Sequence, residues 1–265
     1  MRNFIDKTLM EINHFLKESL TFESTKDNPL SHVDERVKIL LLLFFLITIS
    51  LLKRIESLLF LYIFSIFLAL IFHINLKNLM RRTWSFVSIF TLIIVLPYIF
   101  IQPGKLSFGF SLEGLESALR LVLRVVTSIS YINILLLTTY WTDIFAGLRA
   151  LKVPAPIISI LAMTYRYIFL LLEIAENIFL AKKSRTIKID SLRREQGWIG
   201  SSIGILGIKT QELTKEVYQG MISRGINKDI NFFYNKKLRR RDIVYLAFMF
   251  LFLLAIIIID WRMKL

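Results

Sequence analysis

Two short sequences hold the side chains best suited to binding a partner, Ser184-Arg185-Thr186 and Ser223-Arg224-Gly225. Each stands where a helical pattern ends, in the only long polar part of an otherwise apolar chain. An arginine guanidinium is a planar fork that binds a carboxylate through two charge-assisted hydrogen bonds. Two such forks at helix ends predict docking on two acidic pockets of a partner.

Helix termination is the alternative interpretation of these two sequences. An arginine in the last turn interacts favourably with the negative end of the helix dipole, and Gly225 adopts the left-handed conformation of a helix terminus at little cost. This explains the second sequence by itself. It explains the pair less well, because Thr186 is not a glycine-type terminator although Arg185 holds the matching place. Both interpretations stay open on this evidence.

The sequence GILGIKT at 204–210 resembles a phosphate-binding loop but lacks its spacing. A Walker A loop requires lysine directly after glycine, between a strand and a helix. Here Ile208 intervenes and the surrounding pattern is helical. We therefore expect any ATP to be bound by another chain.

Catalytic and metal-binding patterns are also missing from the sequence. The chain has no cysteine, and His14, His32 and His73 lie far apart without the spacing of metal ligands. No Ser-His-Asp arrangement or carboxylate pair stands out. The sequence predicts no catalytic site, no metal site and no cofactor.

Arg120 and Arg124 lie one helical turn apart within an apolar run. An intramembrane arginine is a functional candidate by default. Arg120 can instead pair with Glu116 one turn away or extend to the interface, whereas Arg124 lies deeper. Their roles stay open on the sequence alone.

Composition indicates an integral membrane protein. Of 265 residues, 55% are hydrophobic and the mean hydropathy is +0.60, above the usual range of a soluble domain. The first thirty residues are polar, which argues against a cleaved signal peptide. The net charge is +14, but the aromatic residues lie inside the apolar runs, so nucleic-acid binding is not expected.

The hydropathy pattern predicts an all-α polytopic protein with about five spans, at residues 37–52, 57–73, 83–102, 115–141 and 242–261. Crossing about 30 Å of hydrocarbon takes roughly 20 residues. The first two runs are shorter than this, so they form either two tilted spans or a helical hairpin.

Lysines and arginines orient these spans. Fifteen of them fall between Lys182 and Arg241, and basic loops mark the cytoplasmic side. The chain is therefore expected in the plasma or inner membrane, with its N-terminus inside and C-terminus outside. Lys53 and Arg54 are then external, a mild violation that snorkelling allows. The predicted segments are 1–36 (cytoplasmic), 37–141 (transmembrane), 142–241 (cytoplasmic) and 242–265 (transmembrane).

Two long helices are predicted within 142–241. The first runs from about Ala155 to Lys183; Arg166 at the centre of its apolar half argues against a span, because a central arginine costs about 2.5–3.5 kcal/mol on insertion scales. A charged loop, 185–196, is expected to follow. The second helix runs from about Trp198 to Ser223 with amphipathic spacing. Gly200 and Gly204 either permit a close helix crossing or are simply tolerated within the helix.

The two arginine sequences resemble the paired Ala-Arg-Gly coupling motifs of the energy-coupling factor (ECF) transporter T component, the EcfT/CbiQ family. The sequence HVDERVKILL at 32–41 resembles the family's His-x-x-Asp-Pro-Arg-x-Lys start of the first span. The stretches 148–185 and 217–225 resemble the family's two coupling segments. The resemblance covers about residues 28–260. Departures from the family pattern are serine for alanine at 184 and 223, Thr186 for glycine, and Glu35 for proline.

The resemblance implies a mechanism and a set of partners. The family's T component joins two P-loop ATPase subunits to a small membrane S component that binds the substrate, a vitamin or a cobalt or nickel ion. ATPase closure then moves the coupling helices. The implied ATPase-coupling residues are Ser184, Arg185, Thr186, Ser223, Arg224 and Gly225. The implied contact scaffold for the S component is Ile160, Met163, Phe169, Ile203, Leu206 and Leu213.

Three other classes of protein compete with this interpretation. A membrane structural or assembly subunit without a transport role is the main alternative, and neighbouring ATPase genes would argue against it. A membrane enzyme lacks a catalytic constellation in this sequence. A stand-alone secondary transporter would be expected to have inverted repeats, and no internal repeat is visible.

Overall fold

The computed structural model describes residues 33–72, 74–84, 112–185, 192–225 and 240–262, together with Thr91, Ile93 and Val95. Its regular elements over these residues are all helical, which confirms the predicted all-α polytopic membrane protein. The helices are α1 Glu35–Leu51, α2 Ile55–Ile71, α3 Leu76–Thr83, α4 Leu112–Thr138, α5 Trp141–Ala150, α6 Ala155–Arg185, α7 Leu192–Ser223 and α8 Arg240–Arg262.

The helices form two compact units, a membrane unit of α1 to α5 with α8 and a helix-pair unit of α6 and α7. Helix α5 falls inside the segment 142–241 that the sequence assigned to the cytoplasm, yet its contacts group it with the membrane unit. The predicted domain assignment otherwise stays a prediction.

Length and composition allow three of the described helices to cross a bilayer: residues 114–138 of α4, all of α6, and α8. Helix α2 is apolar but shorter, with 17 residues. The predicted span 83–102 lies almost entirely outside the described residues. Helix α6 is thus long and apolar enough to cross a bilayer, whereas the sequence analysis argued against a span because of Arg166. The cytoplasmic position of α6 stays a prediction.

Tyr131 of α4 ties the core of the membrane unit together. Its ring stacks on Phe45 of α1 with centroids 4.3 Å apart, and its hydroxyl donates to the carbonyl of Leu61 in α2 at 3.0 Å. Leu253 and Ile256 of α8 belong to the same buried cluster. One side chain therefore joins α1, α2 and α4, and its polar atom is satisfied where no water is at hand.

Two charged side chains hold the short connection between α1 and α2. Arg124 of α4 donates to the carbonyl of Leu52, the residue that ends α1, at 2.6 Å. Asp260 of α8 accepts from the Lys53 amide at 3.2 Å and from the Ser57 hydroxyl at 2.6 Å. The Arg124 guanidinium thus lies at the C-terminus of α1 and the Asp260 carboxylate at the N-terminus of α2. The helix dipole favours both placements.

Within HVDERVKILL, which resembles the start of the family's first span, Asp34 and Glu35 form the beginning of α1. The side chain of Asp34 caps the helix by accepting from the Arg36 amide at 2.9 Å. Glu35 occupies the first helical position, where proline and acidic residues are both favoured. The replacement of the family's proline by Glu35 therefore preserves the helix start.

Helix α5 crosses α1 closely at Gly147. A Cβ atom there would lie 2.8 Å from Ile39 Cδ1 and 3.1 Å from Glu35 Cβ, with the Glu35 backbone at 3.3 Å. The isoleucine terminus can move, but the Glu35 backbone can give way only if the start of α1 shifts. Glycine at 147 is therefore what permits this approach of the two helices.

We expect Gly147→Val to destabilise the protein by about 1–3 kcal/mol, the usual cost of overpacking. The matched change is Gly200→Ala in α7, where an added Cβ meets no atom within 4 Å, so stability should stay equal or rise by up to about 1 kcal/mol. Thermal unfolding of the detergent-solubilised protein measures both. Equal midpoints for Gly147→Val and the parent would contradict the close crossing.

Helices α6 and α7 lie antiparallel. Near the end of α6, the Phe179 ring meets the Trp198 ring edge-on with centroids 5.3 Å apart, and Lys182 Nζ lies 4.0 Å from the centroid of Trp198. At the other end of the pair, residues 160–171 of α6 face residues 210–221 of α7 across a groove.

Helix α7 starts earlier than the sequence pattern indicated. Residues 192–196 were predicted as part of a loop, but α7 begins at Leu192. The charged residues Arg193, Arg194 and Glu195 are good helix formers, so charge alone was a poor sign of a loop. Helix α6 ends at Arg185, close to the predicted Lys183.

The antiparallel pairing predicts cross-linking in this cysteine-free chain. Cysteines at 179 and 198 should be joined by a short bis-maleimide, because the two side chains are in contact. A matched pair at 179 and 213 should not react, because residues 198 and 213 lie about 22 Å apart along α7. Proteolysis between the two cysteines, followed by mass spectrometry of the fragments, measures the extent of cross-linking in each pair. Equal cross-linking of the two pairs would exclude the arrangement.

Candidate functional site

The first arginine sequence forms the last turn of α6. Ser184 and Arg185 are its final residues and both are exposed. Over the described part of the chain, no hydrogen bond or ion pair engages the guanidinium of Arg185. Thr186, the third predicted residue of this group, lies outside the described residues. The charge of Arg185 is therefore presented at the carbonyl end of a helix of 31 residues.

The second arginine sequence ends α7. Ser223 is the last helical residue, and Arg224 and Gly225 form the turn that follows. Gly225 has φ +67°, and its amide donates to the Ile222 carbonyl at 2.9 Å. The left-handed termination predicted for Gly225 is thus confirmed. It accounts for the glycine but not for the exposure of Arg224, whose guanidinium has no partner among the described residues.

The two serines behave alike. Ser184 Oγ donates to the Ala181 carbonyl at 2.9 Å, and Ser223 Oγ donates to the Gly220 carbonyl at 3.1 Å. Each hydroxyl donates to a carbonyl in the last turns of its own helix. Serine in place of the family's alanine therefore folds back on the helix and leaves the arginine as the outward group.

The antiparallel pairing keeps the two arginines far apart. Arg185 lies at the end of the pair where Lys182 contacts Trp198, and Arg224 follows the opposite end of α7. The helix from Trp198 to Ser223 is about 38 Å long at about 1.5 Å per residue. The two guanidinium groups therefore cannot enter one binding pocket.

An apolar groove of about 410 Å³ lies between the first half of α6 and the second half of α7. Its main apolar walls are Ile160, Met163 and Leu171 on α6 and Leu213, Val217 and Met221 on α7. Tyr167 and Tyr218 add amphipathic rings. A groove of this composition suits apolar side chains of a partner helix.

Three of the six predicted scaffold residues, Ile160, Met163 and Leu213, line this groove. Phe169 instead stacks edge-on against Tyr165 at 5.1 Å. Ile203 is 65% exposed in the first half of α7, and Leu206 is partly buried there. The groove thus unites half of the predicted set, and the other half is distributed elsewhere.

The sequence reasoning missed Tyr167 and Leu171 on α6 and Thr210 and Thr214 on α7, which also line the groove. Together with the other lining residues, their positions recur at three- and four-residue spacing on each helix, which is the signal of one helix face. Tyrosine and threonine blur that signal because they are only partly apolar. Knowing which turns face each other requires the pairing of the helices.

The remaining sequence candidates have structural roles or lie outside the described residues. The GILGIKT sequence lies within the continuous helix α7, and Lys209 Nζ contacts Glu212 at 2.8 Å, which confirms that it is not a phosphate loop. Arg120 pairs with Glu116 at 2.6 Å across one turn, which is one of the two alternatives that the sequence left open. His14, His32 and His73 lie outside the described residues, and within those described no three acidic or histidine side chains form a metal site.

The sequence is similar to three curated proteins. It is 31% identical to the uncharacterized protein MJ1571 of Methanocaldococcus jannaschii over 96% of this chain and 91% of that protein. It is 27% identical to MJ1089 of the same organism over 59% of each chain. It is 35% identical to the cobalt transport protein CbiQ of Rhodobacter capsulatus over 32% of this chain and 35% of that protein.

The comparison with family models covers most of the chain. The model for CbiQ, described as cobalt transport protein, matches residues 26–231. This range includes the capped start of α1, the groove and both arginine ends. The match extends over far more than half of the 265 residues, and the chain therefore belongs to the CbiQ family of cobalt transport proteins.

Proposed function

We propose that this membrane transport component is the energy-coupling T subunit of an ECF-type importer. In this role it transmits the motion of two P-loop ATPase subunits to a small substrate-binding S component. One observation carries the proposal: two exposed arginines, Arg185 and Arg224, end two long antiparallel helices. The chain itself is not an enzyme here, and ATP hydrolysis belongs to the partner subunits.

The separation of the arginines supports two ATPase contacts. Each guanidinium can form a bidentate pair with a carboxylate in one acidic groove. Because the helix between the two ends is about 38 Å long, the pair fits two grooves on two subunits. A change in the distance between those subunits would then act on both ends of the helix pair.

Hydrogen-bonded helices can carry such a motion. Helices α6 and α7 have 31 and 32 residues and contain no internal proline beyond Pro156 in the first turn of α6, where proline is tolerated. The contact of Phe179 and Lys182 with Trp198 joins the end of α6 to the start of α7. A displacement of Arg185 would therefore be passed to α7.

The groove between α6 and α7 is the proposed contact surface for the S component. It is lined by apolar and aromatic side chains, which a membrane helix can contact without unsatisfied polar groups. Non-directional apolar contacts also tolerate sliding of one surface along another. The groove could therefore change shape as the helix ends move.

The basic segment 182–241 supports a cytoplasmic position for the helix pair by the charge rule for membrane loops. The substrate would be set by the S component, and a cobalt or nickel ion or a vitamin fits this mechanism. The family membership favours a metal ion among these.

A membrane assembly subunit without a transport role is the second candidate. The left-handed Gly225 favours it, because this residue is already explained as a helix terminator. Affinity purification of the tagged protein from gently solubilised membranes distinguishes the two candidate functions. Recovery of two ATPases and a small hydrophobic protein supports coupling, whereas a monodisperse protein without ATPases supports the alternative.

The double variant Arg185→Glu with Arg224→Glu should lose ATPase copurification and substrate uptake, because each carboxylate would face another in the acidic groove. The matched double variant is Lys183→Glu with Lys215→Glu, which reverses the same charge on the same helices and should retain both. Normal uptake in the arginine variant, at equal membrane abundance, would refute the coupling role of these arginines.

Leu213→Glu should release the small membrane subunit while the ATPases stay bound, because it places a charge in the apolar groove. The matched change is Ile208→Glu, at a position 60% exposed on the same helix and outside the groove, which should keep all partners. Quantitative mass spectrometry of the purified complexes measures this. Loss of the small subunit from Ile208→Glu alone would place the contact on another face.

A further inference from the structure

We propose that one face of helix α3 is a binding site for the phosphate of an anionic membrane lipid. The face is formed by Lys77, Met80, Arg81 and Trp84, which recur with the three- and four-residue spacing of one helix side. All four are exposed. This site does not depend on the coupling role proposed above.

The opposite side of α3 fixes the helix in the membrane unit. Leu79 and Thr83 are 3% and 1% exposed. Leu79 packs in a cluster with Ala69 of α2 and Ile134 of α4, and Thr83 Oγ1 accepts from Asn133 Nδ2 of α4 at 3.3 Å. These contacts hold the exposed face in one orientation, so the backbone positions that carry Lys77 and Arg81 are fixed.

The sequence on either side of α3 contains no acidic residue. No aspartate or glutamate occurs between Glu56 and Glu113, whereas Lys77, Arg81 and Arg82 occur together in α3. Over the described part of the chain, no ion pair engages Lys77 or Arg81. These two exposed cations are available to an external anion, and the phosphate of an anionic lipid is the anion that a bilayer surface offers.

The apolar half of the face fits the same ligand. Met80 is 46% and Trp84 47% exposed. The Trp84 indole Nε1 donates to the Tyr62 hydroxyl of α2 at 2.9 Å, so its polar atom is satisfied within the protein. Tryptophan and tyrosine are enriched at the level of lipid headgroups. Two cations one turn apart beside a fixed indole would contact a phosphate and the first part of its acyl chain.

Fluorescence quenching at Trp84 tests this site. The full-length protein, with Trp141, Trp198 and Trp261 replaced by phenylalanine, is placed in vesicles of brominated phosphatidylglycerol or brominated phosphatidylcholine mixed with unlabelled lipid. We expect the anionic lipid to be favoured at Trp84 by about five- to tenfold. The double variant Lys77→Gln with Arg81→Gln should reduce this preference to less than about twofold.

The matched control is Arg240→Gln with Arg241→Gln, which removes two exposed arginines at the start of α8 and should keep the preference. Equal quenching by the two lipids in the parent would overturn the proposal. So would an equal loss of preference in the control, which would indicate a general surface potential. Absence of quenching by either lipid would mean that protein covers this face. Should the double variant not fold, the single variants Lys77→Gln and Arg81→Gln each decide the same question.

Discussion

The lack of water in the bilayer core decides where this chain can place polar groups. A polar atom in the hydrocarbon region needs a partner within the protein. Tyr131 therefore donates to a carbonyl of α2, and Thr127 and Ser130 donate to carbonyls of their own helix. The charged groups Arg124 and Asp260 lie at helix ends, where unpaired backbone atoms and the helix dipole receive them. The connection between α1 and α2 is thus held by two other helices.

The helix-pair unit differs from the membrane unit because many of its large apolar side chains are exposed. Ile160 is 64% and Ile203 65% exposed, and the groove between the helices is open and apolar. Large exposed apolar surfaces of this kind mark contacts with partners or with lipid. Among the described residues these apolar faces are open and Arg185 and Arg224 have no partner, which suits a subunit of an assembly and agrees with the family.

Each of the two arginine sequences ends a helix and also presents an exposed arginine. Arg185 interacts favourably with the negative end of α6, and Gly225 ends α7 in the left-handed conformation, so both sequences terminate helices. Termination does not require exposed guanidinium groups at opposite ends of a helical stretch about 38 Å long. The structural role and the proposed coupling role are therefore compatible, and the serines that bond to their own helices leave the arginines as the groups available to a partner.

The sequence by itself determined that the protein is helical and membrane-embedded, because apolar runs and amphipathic spacing report local burial. It located the ends of α6 and α7 near Arg185 and Gly225, because arginine and glycine have known effects at a helix terminus. It misplaced the start of α7, since charged residues form helices as readily as loops. Only the tertiary structure decided that α6 and α7 are antiparallel and that Arg124 holds the end of α1. It also decided that Ile160, Met163 and Leu213 share a groove, whereas Phe169, Ile203 and Leu206 lie outside it. These outcomes depend on contacts between residues far apart in the chain, such as Phe179 with Trp198 across two helices, and periodicity along one helix carries no information about which turn of another helix it meets.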